Sequence, residues 1–178
     1  NKISDEKYSL TSLNTAFSKE GVYIHVPKNT LVEKPVEVVH IATGNEAALM
    51  LQPRNLIVIE ENSEIEIVES HRSLTSNPIF TNSVTEIFAD KNTNIDYYKI
   101  QNDNSTSSLI DSTFISQKRN SDVKVHTFSF GGKLTRNNLS FVQENESINS
   151  TMNGLTIIDY RQHVDHHTLV HHANPNCE

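Results

Sequence analysis

Residues 55–70 read NLIVIEENSEIEIVES. An apolar run, Leu56 to Ile59, meets a polar corner, Glu60-Glu61-Asn62-Ser63, and a second stretch then alternates Ile65 and Ile67 with Glu64 and Glu66. A period of two is the signature of an extended strand with one buried face. Three later segments repeat the layout: VTEIFADKNTNIDYYKI (84–100), DSTFISQKRNSDVKVHTF (111–128) and NNLSFVQENESINSTM (137–152). Asn62-Ser63-Glu64-Ile65, Asn92-Thr93-Asn94-Ile95 and Asn120-Ser121-Asp122-Val123 hold equivalent places, and Asn145-Glu146-Ser147-Ile148 is a looser fourth copy. The anchors Ile65, Ile95, Val123 and Ile148 are separated by 30, 28 and 25 residues.

Irregular repeats of short strands with asparagine-rich corners predict an all-β chain, a right-handed parallel β-helix. No coil buries its own apolar face, but stacking at about 4.8 Å makes one continuous core, and roughly six coils would form a rod on the order of 30 Å long. The competing reading is an antiparallel sandwich or jelly roll. Those folds usually mark hairpins with glycine, and only five glycines occur. Before the repeats, SLTSLNTAFSKEG (9–21) suits a short helix or turn, and GVYIHVP (21–27) alternates Val22, Ile24 and Val26 against Tyr23 and His25. The expected organisation is a leading segment over 1–20 and a β-helix core over 21–178. The chain opens on Asn rather than Met, and we expect a fragment of a longer protein.

Composition narrows the function. A net charge of −7 argues against binding nucleic acid or an anionic membrane surface. No apolar run approaches the roughly 20 residues that span a bilayer. One cysteine makes no internal disulfide and fits a reducing compartment, hence a cytoplasmic location. Walker, dinucleotide-loop and nucleophile-elbow motifs are absent, so no catalytic or cofactor-binding residue is assigned. Glu60, Glu61, Glu64, Glu66 and Glu69 invite a two-carboxylate glycosidase reading. We expect them instead on the solvated face of a coil.

The ending, QHVDHHTLVHHANPNCE (162–178), holds five of the nine histidines and the lone cysteine. On an extended strand His163, Asp165, His167 and His171 share one face, and Val164, His166, Thr168, Val170 and His172 share the other. The valines mark the second face as inward. Imidazoles two or four residues apart lie about 7 or 13 Å apart by strand rise, too far to meet on one ion whose ligands sit about 2.1 Å away. His163, Asp165, His167, His171 and Cys177 are therefore metal candidates only around a bend or with help from adjacent coils. The competing reading is a strand whose imidazoles hydrogen-bond across neighbouring coils.

Several stretches resemble a known family. LNTAF (13–17), GVYIHVPKNT (21–30), EKPVEVVHI (33–41), PRNLIVIEENSEIEIVES (53–70) and TNSVTEIFADKNTNIDYYKIQ (81–101) are similar to the β-helical core of the SufB/SufD family. FGGKLTRNNLSFVQENESINSTMNGL (130–155) and HVDHHTLVHHANPNCE (163–178) continue the match. The run Gly131-Gly132-Lys133-Leu134-Thr135-Arg136-Asn137 and the ending DHHTLVHHANPNC are its most specific parts, and the leading segment and shorter corner resemble the SufD branch most.

The resemblance implies a right-handed parallel β-helix and a non-catalytic scaffold role in SUF iron–sulfur cluster assembly. It implies pairing with a SufB-like β-helical subunit and a SufC-like ABC ATPase. It implies no cofactor intrinsic to this chain, an iron–sulfur cluster arising only at an interface with a partner. A homodimer is a further expectation. The family's helical region that contacts SufC, and its cluster-associated Cys and His positions, would lie beyond Glu178, so no cluster ligand is carried onto a residue here. Two other function classes compete: a β-helical polysaccharide-active enzyme and a histidine-rich metal-binding β protein. The absence of tryptophan and an aromatic share of 7% disfavour the first, since sugar clefts use flat aromatic platforms.

Overall fold

The computed structural model describes residues 9–43 and 48–177; residues 1–8 of the leading segment lie outside the described residues. The chain starts with helix α1 (Ser9–Phe17) and continues in strands β1 (Tyr23–Val26), β2 (Val36–Ala42), β3 (Leu49–Leu51), β4 (Arg54–Ile59), β5 (Glu64–Ser73) and β6 (Ile79–Ala89). After these come β7 (Asn94–Gln101), β8 (Ser108–Gln117), β9 (Asp122–Ser129), β10 (Leu134–Gln143), β11 (Asn149–Thr156) and β12 (His163–His172).

Every pairing is parallel. One sheet runs β1-β4-β6-β8-β10-β12, with β3 also on β6, and the other runs β11-β9-β7-β5-β2. From β4 onward successive strands alternate between the sheets, so the chain winds as a parallel β-solenoid, as the repeats predict, with about five turns where roughly six were expected. The antiparallel alternatives have no pairing to support them among the described residues.

Corners make the winding possible. Asn29, Asn62, Asn92, Asn120, Ser147 and Asn176 all adopt positive φ, between 56° and 60°. Asparagine tolerates this left-handed conformation better than other residues with a Cβ. Its side chain also stacks between turns: Asn62 Nδ2 donates to Asn29 Oδ1 (2.9 Å), Asn92 Nδ2 to Asn62 Oδ1 (2.8 Å) and Asn120 Nδ2 to Asn92 Oδ1 (3.1 Å). The fourth repeat is corrected by this geometry. Its left-handed corner is Ser147, not Asn145, and Val123 is in register with Ser150, not Ile148. Ile148 is nevertheless buried. The corner without asparagine has no amide ladder to mark it, which is why spacing alone misplaces it by two residues.

Helix α1 packs on β6 at the solenoid wall. Asn14 is fully buried and its Nδ2 donates to Pro53 O (2.9 Å) and Asn82 O (2.8 Å), while Asn82 Nδ2 donates to Leu10 O (2.7 Å). These amides tie the helix to the backbone of the solenoid wall through buried carbonyl oxygens. Gly21 is the entry point to β1; a Cβ there would lie 1.8 Å from Arg54 O, so only glycine lets the two backbones approach. The apolar core runs up the asparagine-corner side: Ile57, Ile59, Ile65, Ile67, Ile87, Ile95, Ile115, Val123, Val125 and Phe141 are each at most 3% exposed.

Candidate functional site

Inward positions follow from the period of two. Along β5 they are Ile65, Ile67, Glu69 and His71; along β7, Ile95, Tyr97, Lys99 and Gln101; along β9, Val123, Val125, Thr127 and Ser129. Each strand begins apolar at the asparagine corner and ends polar. The facing strands run oppositely in composition: β6 places Thr81, Ser83 and Thr85 before Ile87, and β8 places Asp111 and Thr113 before Ile115. The interior therefore has one apolar side and one polar side.

Glu69 corrects the expectation for the acidic cluster. Glu61 and Glu64 are exposed and Glu60 and Glu66 half-buried, but Glu69 is 3% exposed inside the solenoid. Its Oε1 accepts from His40 Nε2 (2.8 Å) and Asn55 Nδ2 (3.0 Å), and its Oε2 accepts from the Tyr97 hydroxyl. His71, also buried, brings its Nε2 to 3.6 Å from the same Oε1 and makes no hydrogen bond through that atom. The His40 and His71 rings stack with centroids 4.6 Å apart and planes 14° from parallel. Strand register explains the meeting, because β2 and β5 align His40 with His71 and Val38 with Glu69.

A second cluster sits one and two turns on. Lys99 Nζ lies 2.7 Å from Asp111 Oδ2, donates to Thr113 Oγ1 (2.6 Å), and stands over the Tyr97 ring at 5.4 Å. Gln101 Nε2 donates to Asp111 Oδ2 (3.0 Å) and Asn137 Oδ1 (2.6 Å), Asn137 Nδ2 returns a bond to Gln101 Oε1 (3.1 Å), and Ser129 Oγ donates to the same oxygen (2.8 Å). Charges this deep persist only when paired and hydrogen-bonded. A cavity of about 240 Å³ opens beside His40 and His71 and is walled by Thr43, Arg72, Thr81 and Asp103.

The protonation equilibria reflect this packing. Burial opposes ionisation of Glu69, but the contacts of His40 and His71 and the charge of Lys99 outweigh it and hold its carboxyl well below the usual range. For His71, burial favours the neutral ring, while Glu69 and then Asp111 and Asp103 outweigh it and raise its pKa. Burial, then the charges of Glu69 and Asp111, push the Tyr97 phenol well upward. Burial likewise raises Asp103, against the charge of His71.

The histidine-rich ending lies elsewhere. Strand β12 pairs with β10 without interruption from His163 to His172, so it supplies no bend. His163, His167 and His171 fall on the outward face, and Asp165 Oδ2 binds Arg136 Nη1 at 2.9 Å. Cys177 Sγ donates to Asn145 O (3.2 Å) in the following segment. Inward His166 does bond across turns, its Nε2 lying 3.1 Å from Thr156 Oγ1 and its Nδ1 3.4 Å from Asn137 Nδ2. Among the described residues, the three-ligand grouping with donor atoms within 4.8 Å of one another is His40, Glu69 and His71, and none of the five earlier candidates belongs to it. Two signals point to this trio in the sequence: the parity that buries Ile65 and Ile67 also buries Glu69 and His71, and His40 precedes His71 by about one repeat length.

Two family models account for the chain: the N-terminal region of SufBD proteins matches residues 1–38, and the SufBD core domain of SUF-system FeS cluster assembly matches residues 40–178. The chain belongs to the SufB/SufD family. Similar proteins include an iron–sulfur cluster assembly SufBD family protein of Synechocystis, 29% identical over 97% of this chain and 40% of that protein. The iron–sulfur cluster assembly protein SufD of Bacillus subtilis is 33% identical over 56% of this chain and 23% of its own length. The chloroplastic protein ABCI7 of Arabidopsis thaliana is 30% identical over 74% of this chain and 29% of its own. The chain thus spans less than half the length of these relatives. Among the described residues no helix is long and apolar enough to cross a membrane.

Proposed function

We propose that this SufBD chain supplies the β-helical part of a non-catalytic scaffold subunit of the SUF machinery. It pairs with a SufB-like β-helical subunit, works with a SufC-like ABC ATPase, and meets the iron–sulfur cluster as cargo at an interface with a partner. The observation that supports this most strongly is that the two SufBD family models together take in residues 1–38 and 40–178, the whole of one continuous parallel solenoid and its lead-in. The interior chemistry is consistent with a scaffold. Lys99 and Asp111 are committed to each other, and Glu69 to Tyr97, Asn55 and His40. Glu60 and Glu69, among the acids that invited a glycosidase reading, do not face each other across one cleft: Glu69 is buried inside the solenoid, and Glu60 lies at the corner, bonded to His25 and Lys28 N.

The test is anaerobic affinity purification of the full-length protein from its own cells, with co-purifying proteins identified by mass spectrometry. An ABC-type ATPase and a second β-helical subunit arriving in fixed ratio are the expected outcome. A protein that emerges alone, or only as a homodimer, overturns the proposal.

A further inference from the structure

Independently of any assembly partner, the trio on the polar side of the interior has the chemistry of a metal centre. Two imidazoles and one carboxylate leaving further positions open are the donor set of mononuclear Zn²⁺ and Fe²⁺ sites. An ion about 2.1 Å from such donors keeps neighbouring donor atoms roughly 3.0–3.4 Å apart, for octahedral or tetrahedral angles. Glu69 Oε1 lies 2.8 Å from His40 Nε2 and 3.6 Å from His71 Nε2, on either side of that range, so shifts of a few tenths of an ångström bring both distances into it, and the two rings, stacked 14° from parallel, would turn to aim both nitrogens at one ion.

Three further features distinguish the trio from a simple buried ion pair. The buried His71 Nε2 has no hydrogen-bond partner although it points at the carboxylate, and an orphaned nitrogen in such a place is costly unless something occupies it. The carboxylate is held from behind, with Tyr97 on Oε2 and Asn55 on Oε1, the outer support that metal-binding carboxylates characteristically have. A cavity of about 240 Å³ lined by His40 and His71 lies next to the trio and has room for water or an exogenous ligand, and Asp103 stands on its wall.

We propose that His40, Glu69 and His71 form a mononuclear site for a divalent transition ion, Fe²⁺ or Zn²⁺, inside the solenoid. This site is distinct from the outward histidines of β12, which are spread along a straight strand.

The full-length protein, untagged, treated with chelator and kept anaerobic, is titrated with Co²⁺, whose visible d–d bands and X-ray absorption report ligand number and imidazole content. One Co²⁺ per chain with two imidazoles is expected. His40→Ala, at a half-exposed position, and Glu69→Gln each weaken that binding by at least about tenfold, with circular dichroism confirming that each variant is folded. The triple variant His163→Ala/His167→Ala/His171→Ala retains it. No stoichiometric Co²⁺ in the wild type overturns the proposal. So does binding unchanged in a folded His40→Ala protein, or binding lost with the β12 histidines instead.

Discussion

Along β7 the inward side chains run Ile95, Tyr97, Lys99, Gln101, and this change within a single strand divides the solenoid interior in two. Toward the asparagine corners, Ile57, Ile65, Ile87, Ile115 and Phe141 fill the space with hydrocarbon. Toward the opposite loops, Glu69, Lys99, Gln101, Asp111 and Asn137 fill an equally buried space with charges and amides bonded to one another. Burial is the same on both sides, but its contribution to stability is not. Apolar burial stabilises at about 25 cal/mol per Å², whereas a buried ion pair roughly offsets its own desolvation and adds little net stability. The apolar side accordingly holds the coils together, and the polar side is tolerated because its charges are paired, Lys99 with Asp111 and Glu69 with His40, Asn55 and Tyr97, while His71 Nε2 stays without a hydrogen bond.

The comparison can be broken most severely by unbalancing the polar side. Asp111→Leu leaves Lys99 as an uncompensated buried charge, and urea denaturation should show a loss of about 3–5 kcal/mol. On the apolar side, Ile95→Ala removes a fully buried side chain without stranding a partner, and a loss of about 3 kcal/mol is expected in the same assay. At the boundary of the apolar side, Asn92→Ala loses both ladder bonds and places alanine in the left-handed region. It should cost about 1–2 kcal/mol, and Asn92→Gly less, since glycine adopts that conformation freely. The smallest effect is expected outside the interior altogether: Glu66→Gln, on the outward face of β5, should change stability by no more than about 0.5 kcal/mol.

Much of the fold was legible in the sequence, and the parts that were not, the polar side of the interior above all, have physical reasons. Corners at Asn62, Asn92 and Asn120 announce themselves because asparagine serves both the left-handed turn and the amide ladder. Ser147 performs the turn without the ladder, so the fourth corner was read at Asn145. The two faces of β12 followed from Val164 and Val170 alone. Glu69 and His71 were harder, because residue type argued for solvent while strand parity argued for the interior, and parity won: a strand cannot turn one side chain outward without a bulge. The union of His40 with Glu69 and His71 required the register between β2 and β5, which depends on the length of a long connection rather than on any local pattern.

The central claim is that the polar side of the interior is not what stabilises the solenoid. Its most direct test is a urea-denaturation cycle on the buried pair, comparing Lys99→Met, Asp111→Leu and the double variant Lys99→Met/Asp111→Leu. The account predicts that Asp111→Leu alone loses about 3–5 kcal/mol while the double variant returns to within about 1 kcal/mol of the parent or exceeds it. A double variant that loses as much as the two single variants combined would contradict it and make the polar side a structural element in its own right.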